Sequence, residues 1–550
     1  YHWFDYQGED AAFARPAAPG RYHNPVLAGF HPDPSVVRVG ARYYLVTSSF
    51  AYFPGLPVFE SADLVHWRQI GNVIDRPGQM DFDGLGVSRG LYAADISHHA
   101  GTWYVVGTLV DGGGNFIVSA KDPAGPWSDP VWLTGVDGID PALFIDADGS
   151  AWLLNNGPPE GEPLYAGHRA IWMQQFDLAG LRPVGPRRVL VNGGRDLAAR
   201  PVWIEGPHLY RHAGWYVLSC AEGGTGPEHS QVVFRSRSRW GPYLPAKHNP
   251  ILTQRDLPAG RAEPVVNAGH ADLVQAADGS WWALFLASRA WGGMHYATGR
   301  ETWLLPVRWE DGWPRILDAG QVIPRRPALP AFAPVARPGG QAPLSGNFHW
   351  RDEFDGPRLD PAWLQLRAPR TAWADLAARP GTLTLHAQDA GLDSRHNPSF
   401  LARRQQHLVF DASTALEPPA DADTLAGLAA FQNETHWFVL GAQRRGADLE
   451  ISLRRRDGAD ERVLARRQVR PGATLKLRIR GAEGRYGFAF DADGQGWRWL
   501  RTEVDARLLG SDVAGGFTGA VLGPFARSGL PAVVPDLAGR ETEGERDGDD

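Results

Sequence analysis

The sequence predicts an all-β protein, a five-bladed β-propeller followed by a C-terminal β-sandwich with a jelly-roll-like layout. Three observations carry that prediction. The 550 residues include 22 Trp, 23 Phe and 14 Tyr beside 65 Gly and 44 Pro, a mixture of strand formers and turn formers that suits many short strands. A unit made of a carboxylate, a few largely apolar residues, a turn glycine and an aromatic-led strand recurs five times. The last third of the chain alternates apolar and polar residues with period two, the pattern of half-buried antiparallel strands.

The five copies justify the blades in order. They run Asp33-Pro-Ser-Val-Val-Arg-Val-Gly40 before Tyr43-Tyr44, Asp95-Ile-Ser-His-His-Ala-Gly101 before Trp103-Tyr104, and Asp140 to Gly149 before Trp152. Glu205 to Gly214 before Trp215-Tyr216 and Asp272 to Gly279 before Trp281-Trp282 complete the set. The turn glycines stand 48 to 65 residues apart, enough for one four-stranded blade each and longer than the strand spacing of a sandwich. If the strand before each glycine is the innermost of its blade, all five carboxylates lie near the central axis. The propeller is expected over 24–323, after an N-terminal extension, 1–23.

After Trp313-Pro314 the pattern stops, and a proline-rich linker or strap is expected over 324–347. Stretches such as Thr382-Leu-Thr-Leu-His386, Trp437-Phe-Val-Leu-Gly441, Leu449-Glu-Ile-Ser-Leu453 and Leu475-Lys-Leu-Arg-Ile479 predict the sandwich over 348–528. Residues 529–550 are expected to be a disordered acidic tail.

Several function classes fall away. The net charge is −7 and the basic residues, nearly all Arg, are scattered among acids, so no nucleic-acid surface is expected. No apolar run approaches the ~20 residues of a membrane span. The lone Cys220 excludes an internal disulfide and is expected to be a buried small residue. Nucleotide-binding, zinc-protease and serine-hydrolase motifs are missing from any fitting context. The sequence begins at Tyr1, and Tyr1–Gly20 has neither a basic leader nor an apolar signal core, which reads as a processed or trimmed N-terminus. A periplasmic or secreted bacterial protein is the expectation, with the cytoplasm as the alternative; the oligomeric state is left open.

Acids lining a propeller axis have two readings, a cation site or a pair of carboxyls acting as general acid and base. The second is the equipment of a glycosidase. In the inverting kind a base activates water on one side of the sugar, and a protonated acid meets the leaving oxygen on the other, ~6.5–9.5 Å away.

The motifs at these acids sharpen the choice. Asn24-Pro-Val-Leu-Ala-Gly-Phe-His-Pro-Asp-Pro-Ser35, Tyr43-Tyr-Leu-Val-Thr-Ser-Ser-Phe50, Phe53-Pro-Gly55, Asp63-Leu-Val-His-Trp67, Glu205-Gly-Pro-His-Leu-Tyr210, Ala221-Glu-Gly-Gly-Thr225, Gly269-His-Ala-Asp-Leu-Val274 and Gly299-Arg-Glu-Thr302 resemble glycoside hydrolase family 43. More narrowly they are similar to its β-xylosidase and α-L-arabinofuranosidase branch, over about Asn24 to Phe525. The resemblance implies Asp33 as general base, Glu205 as general acid with a raised pKa, and Asp140 as the carboxylate that orients the acid. It implies Arg289, Phe50 and Thr225 at the terminal-sugar pocket, and Phe517 in Gly516-Phe-Thr-Gly-Ala520 as a sandwich residue reaching the mouth of the site. His270 matches an axial histidine beside a hydrated Ca²⁺ or a water in many members, although calcium prefers six to eight oxygen ligands and one histidine cannot define it. No other cofactor is implied, and Asp95 and Asp272 read as structural.

There are departures. Tyr92 stands where much of the branch has Trp, and Ala94 replaces a proline, which widens the choice between arabinofuranosides and xylosides. Beyond Phe525 the acidic-aromatic closing strand is missing, so the sandwich is expected to close differently. The activity implied is exo-acting, inverting release of α-L-arabinofuranose or β-D-xylose from hemicellulose oligosaccharides. The alternatives are a non-catalytic carbohydrate-binding protein and a retaining, fructosidase-like propeller hydrolase.

Overall fold

Each repeated unit folds as an antiparallel meander in the computed structural model, which describes residues 1–15, 17–332, 342–482 and 484–530. The first sheet orders Ser35–Val39, Arg42–Val46, Gly55–Ser61 and Trp67–Ile74. The second uses Asp95–His99, Thr102–Val110, Gly114–Ala120 and Val131–Trp132, with Gly90–Leu91 added beside Thr102–Val110. The third runs Ile139–Ile145, Ala151–Gly157, Ala170–Asp177 and Arg182–Asn192. Glu205–His212, Trp215–Glu222, Ser230–Ser236 and Leu244–Pro245 form the fourth, and Val265–Gln275, Trp281–Arg289, Glu301–Glu310 and Trp313–Arg315 the fifth. The first hairpin of each sheet turns on a glycine with positive φ, 61° at Gly40 and 88° at Gly279. A Cβ at either position would meet nothing, so backbone conformation, not space, requires glycine there.

The first strands of the five sheets touch in sequence order and the fifth touches the first. Residues ahead of the first sheet fasten that closure to the fifth. The Val26 amide donates to the Thr302 carbonyl at 2.9 Å, and the Asn24 side chain exchanges two hydrogen bonds with the Leu304 backbone, at 2.8 and 3.0 Å.

The C-terminal unit packs a six-stranded sheet on an eight-stranded one. The segment expected as an N-terminal extension, 1–23, supplies Trp3–Gly8 to the six-stranded sheet, between Phe348–Asp352 and Phe410–Leu416. The reason is alternation: Phe4 and Tyr6 face the core beside Trp363, Phe410 and Phe438, while Asp5 and Gln7 face outwards. The sandwich closes through Val521–Arg527, inserted between Leu425–Asn433 and Ser399–Arg404. Tyr52–Phe53 of the first sheet's loop adds an edge to the same eight-stranded sheet by pairing with Leu364–Leu366, so the two units share a sheet. The strap packs on the N-terminal segment through Tyr22 to the Pro327 carbonyl and Ala28 to the Leu344 carbonyl; its residues 333–341, and the expected tail from 531 onwards, lie outside the described residues. Cys220 is buried. Among the described residues no helix is long and apolar enough to cross a membrane.

Phe4 is fully buried and meets Trp363 edge-on, 5.1 Å between centroids. Phe4→Ala should therefore cost about 3–5 kcal/mol, read as a lower denaturant midpoint for the sandwich; an unchanged midpoint would mean the N-terminal strand is dispensable.

Candidate active site

Backbone irregularities at the starts of the first strands set the side chains. Asp33 and Asp140 both have φ of 54°, and His270 has 53°, the left-handed region that costs a non-glycine residue energy and recurs at functional sites. The strand register slips between Ile139 and Ala142, between Glu205 and His208, and twice between Val266 and Asp272. Such bulges re-aim side chains locally. In the fifth sheet they bring His270 to Asp140 and turn Asp272 towards Asp95 and His208.

Asp33, Asp140, Glu205 and His270 are thus collected, each 7% exposed or less. Ser48 Oγ donates to Asp33 Oδ2 at 2.6 Å, and Arg300 Nη1 reaches Oδ1 at 3.3 Å. Asp140 Oδ2 accepts from the Gly206 amide at 3.1 Å and lies 3.4 Å from His270 Nε2. Gly206 is required for close approach, since a Cβ there would lie 2.7 Å from His270 Nε2.

The surroundings push the acids apart. Burial alone would raise Asp33, but the charges of Arg300 and His270 and the Ser48 hydrogen bond outweigh it and hold the carboxyl below its ordinary value. Glu205 is pushed up to about 8, first by burial and then by the negative charge of Asp140. His270 rises to about 9, because the hydrogen bond to Asp140 and the charge of Asp33 overcome the desolvation that opposes them. One carboxyl is kept ionised and another protonated at neutral pH, which is how acid and base roles are divided between like groups.

Aromatic rings border this cluster. Phe517, carried by the sandwich, stacks on Phe50 at 6.2 Å and meets Tyr92 edge-on at 5.7 Å. Arg300 sits 5.3 Å from the Phe517 ring centroid and donates to its carbonyl at 3.4 Å. Phe50, expected to offer a face to sugar, is 1% exposed because Tyr92 and Phe517, both half-buried, pack against it. Thr225 is half-buried in the turn after Trp215–Glu222 and makes no hydrogen bond to the carboxylates among the described residues.

One expectation is corrected. Arg289 is not available to a sugar. It is 2% exposed, and its Nε and both Nη atoms are held by Glu301 at 2.7 Å, Asp10 at 2.6 Å and the Gln406 carbonyl at 2.6 Å. It clamps the N-terminal segment, the fifth sheet and the sandwich together. Arg300 takes the place beside the carboxylates, and the Gly299-Arg-Glu-Thr302 motif was its signal. His270 Nε2 lies 3.4 Å from Asp140 Oδ2, and its buried Nδ1 has no hydrogen-bond partner among the described residues, so Nδ1 is the atom that a water or a hydrated cation on the axis would engage. The group whose atoms could hold a cation among the described residues is Asp95, His208 and Asp272. Its oxygens already accept from Ser35, Ser97, Tyr210 and the Val36 and Leu143 amides, so it reads as a satisfied structural cluster that joins all five sheets.

A buried ionised carboxylate and a buried protonated one, flanked by aromatic rings, define a glycosidase site. Comparison with known proteins agrees. The profile of glycosyl hydrolases family 43 matches residues 22–314, and that of the beta xylosidase C-terminal concanavalin A-like domain matches 351–532. A xylosidase/arabinosidase of Butyrivibrio fibrisolvens is 39% identical over 77% of this chain and 80% of its own length. A non-reducing end α-L-arabinofuranosidase of Bacteroides ovatus is 35% identical over 92% and 91%. Among solved structures, a GH43_12 protein retrieved from a capybara gut metagenome superposes with a TM-score of 0.89 at 37% identity, covering 96% of this chain and 99% of that one. The chain belongs to glycoside hydrolase family 43 and is a glycosidase, a propeller joined to a concanavalin A-like sandwich.

Two measurements check this electrostatic arrangement. The base must be ionised, so kcat/KM should rise with pH through a value below the ordinary aspartate pKa of about 3.9. The acid must be protonated, so it should fall as pH passes about 8. Arg300→Ala should raise the acidic limb by removing the cation that favours ionised Asp33. Arg289→Ala should leave the limbs in place but lower stability by about 3–5 kcal/mol, the cost of stranding buried charges, read by chemical denaturation.

Proposed function

We propose that the five sheets are the blades of a five-bladed propeller and that the enzyme is exo-acting and inverting, releasing terminal α-L-arabinofuranose or β-D-xylose from hemicellulose oligosaccharides. The observation that carries this reading is the opposite ionisation of Asp33 and Glu205 within one buried cluster. Asp33 takes a proton from water as its oxygen attacks the anomeric carbon. Glu205 gives its proton to the leaving glycosidic oxygen. The products depart with Asp33 protonated and Glu205 ionised, and proton exchange with solvent restores both. Asp140 keeps Glu205 protonated through its charge, and His270 offsets the carboxylates so that they tolerate common burial.

The aromatic wall supports exo action, because Phe517 projects from the second domain over Phe50 and beside Tyr92, bounding the pocket on that side. Both pentoses are retained because relatives named for xylosidase and for arabinofuranosidase activity align with this chain, and Tyr92 occupies the divergent wall position. The reaction requires no cofactor, and a Ca²⁺ on the axis beside His270 would add positive charge among the carboxylates without entering it. Substrates released from plant polymers outside the cell would suit an exported enzyme.

Side-by-side assay of nitrophenyl xyloside and arabinofuranoside tests the substrate class, and proton NMR of the first-formed sugar tests inversion; a retained anomer contradicts it. Glu205→Ala should lose about 10²–10⁴-fold on an oligosaccharide and less on the nitrophenyl glycoside, whose leaving group needs little protonation. Equal losses on both would remove Glu205 from the acid role.

A further inference from the structure

Just before Glu205 the surface carries an exposed aromatic residue that the chemistry above does not use. Trp203 lies two residues before Glu205 and is 39% exposed, next to Val202 at 41% and near Leu197 at 40%. Apolar groups gathered at the surface mark contact sites. Its position is enforced. Trp203 has φ of 51°, which a bulky residue adopts only where its surroundings impose it. Its amide donates to the Gly167 carbonyl at 2.9 Å, and the Arg169 guanidinium lies 4.7 Å from the ring centroid.

Arg169 is fixed in turn. Its Nε and Nη2 donate to Asn156 Oδ1 at 3.1 and 2.9 Å, and Asn156 Nδ2 donates to the carbonyl of Ile204, the residue before Glu205, at 2.6 Å. Trp203, Arg169 and the start of the Glu205 strand are therefore one connected unit. The charges of Glu205 and Asp140 reach Arg169, opposing the desolvation that lowers it. Among the described residues Nη1 of Arg169 makes no hydrogen bond.

A general acid delivers its proton to the leaving-group oxygen, so the leaving sugar has to lie on the Glu205 side of the bond. The geometry points to Trp203 and Arg169 as the residues that select the leaving group: the exposed indole stacks on the first sugar beyond the cleaved bond, and Arg169 Nη1 donates to one of its hydroxyls. This rests on the glycosidase reading above and extends it from the terminal pentose to the sugar behind it.

The test compares a pentose trisaccharide with the glycosyl fluoride of the same terminal sugar, which has no leaving sugar to stack. Trp203→Ala should lose about tenfold in kcat/KM on the trisaccharide, the loss of one stacking contact of ~1.4 kcal/mol, expressed mainly in KM, and less than about twofold on the fluoride. Trp203→Phe should recover most of the loss. Trp203→Leu, which keeps the apolar volume but not the ring face, should reproduce the selective loss if the alanine variant folds poorly. Equal effects on the two substrates, or none on either, would overturn the assignment. If the wild type turned over neither substrate, the functional reading beneath it would fall first.

Discussion

Three buried carboxylates within one cluster repel one another, and the rest of the site is arranged around that constraint. Burial raises every carboxyl pKa, so a set without compensation would be protonated and inert as a base. The structure spends two cations on the problem, Arg300 at Asp33 and His270 at Asp140, and lets Glu205 remain the protonated member. The division of labour follows from which acid receives which neighbour. Asp33 has a serine hydroxyl and a guanidinium; Glu205 has burial and the Asp140 charge.

Holding the cluster requires rigidity beyond the ring of sheets. The sandwich contributes Phe517 to the aromatic wall, and Arg404 Nε donates to the Phe30 carbonyl at 2.7 Å. Arg367 is bound to the Leu85 carbonyl and to Glu434, which also accepts from the Val87 amide. Together with the Arg289 clamp and the shared eight-stranded sheet, these contacts make the second domain part of the site's wall, not an appended module.

Much of this was legible in the sequence, for physical reasons. Asp33, Asp140 and Glu205 stand in Pro- and Gly-containing motifs at irregular strand starts, positive φ at Asp33 and Asp140 and register slips at Asp140 and Glu205, and the turn glycines recur because each first hairpin needs positive φ. What the sequence hid was long-range or depended on register. Trp3–Gly8 alternates, yet its partners are 340 residues or more away. Asp272 belongs to the recurring acid series, yet two register slips turn it towards Asp95 and His208 and leave His270 beside Asp140. Arg289 and Arg300 flank one hairpin, and only their partners separate them: Arg289 faces Asp10 and Glu301, whereas Arg300 faces Asp33.

The central claim is that Glu205 is protonated at neutral pH while Asp33 is not. Infrared difference spectroscopy between wild type and Glu205→Gln isolates the carboxyl stretch of that residue. The protonated band should be present at pH 7 and fade with a midpoint near 8; a band already lost by about pH 5, where an ordinary glutamate has ionised, would contradict the account.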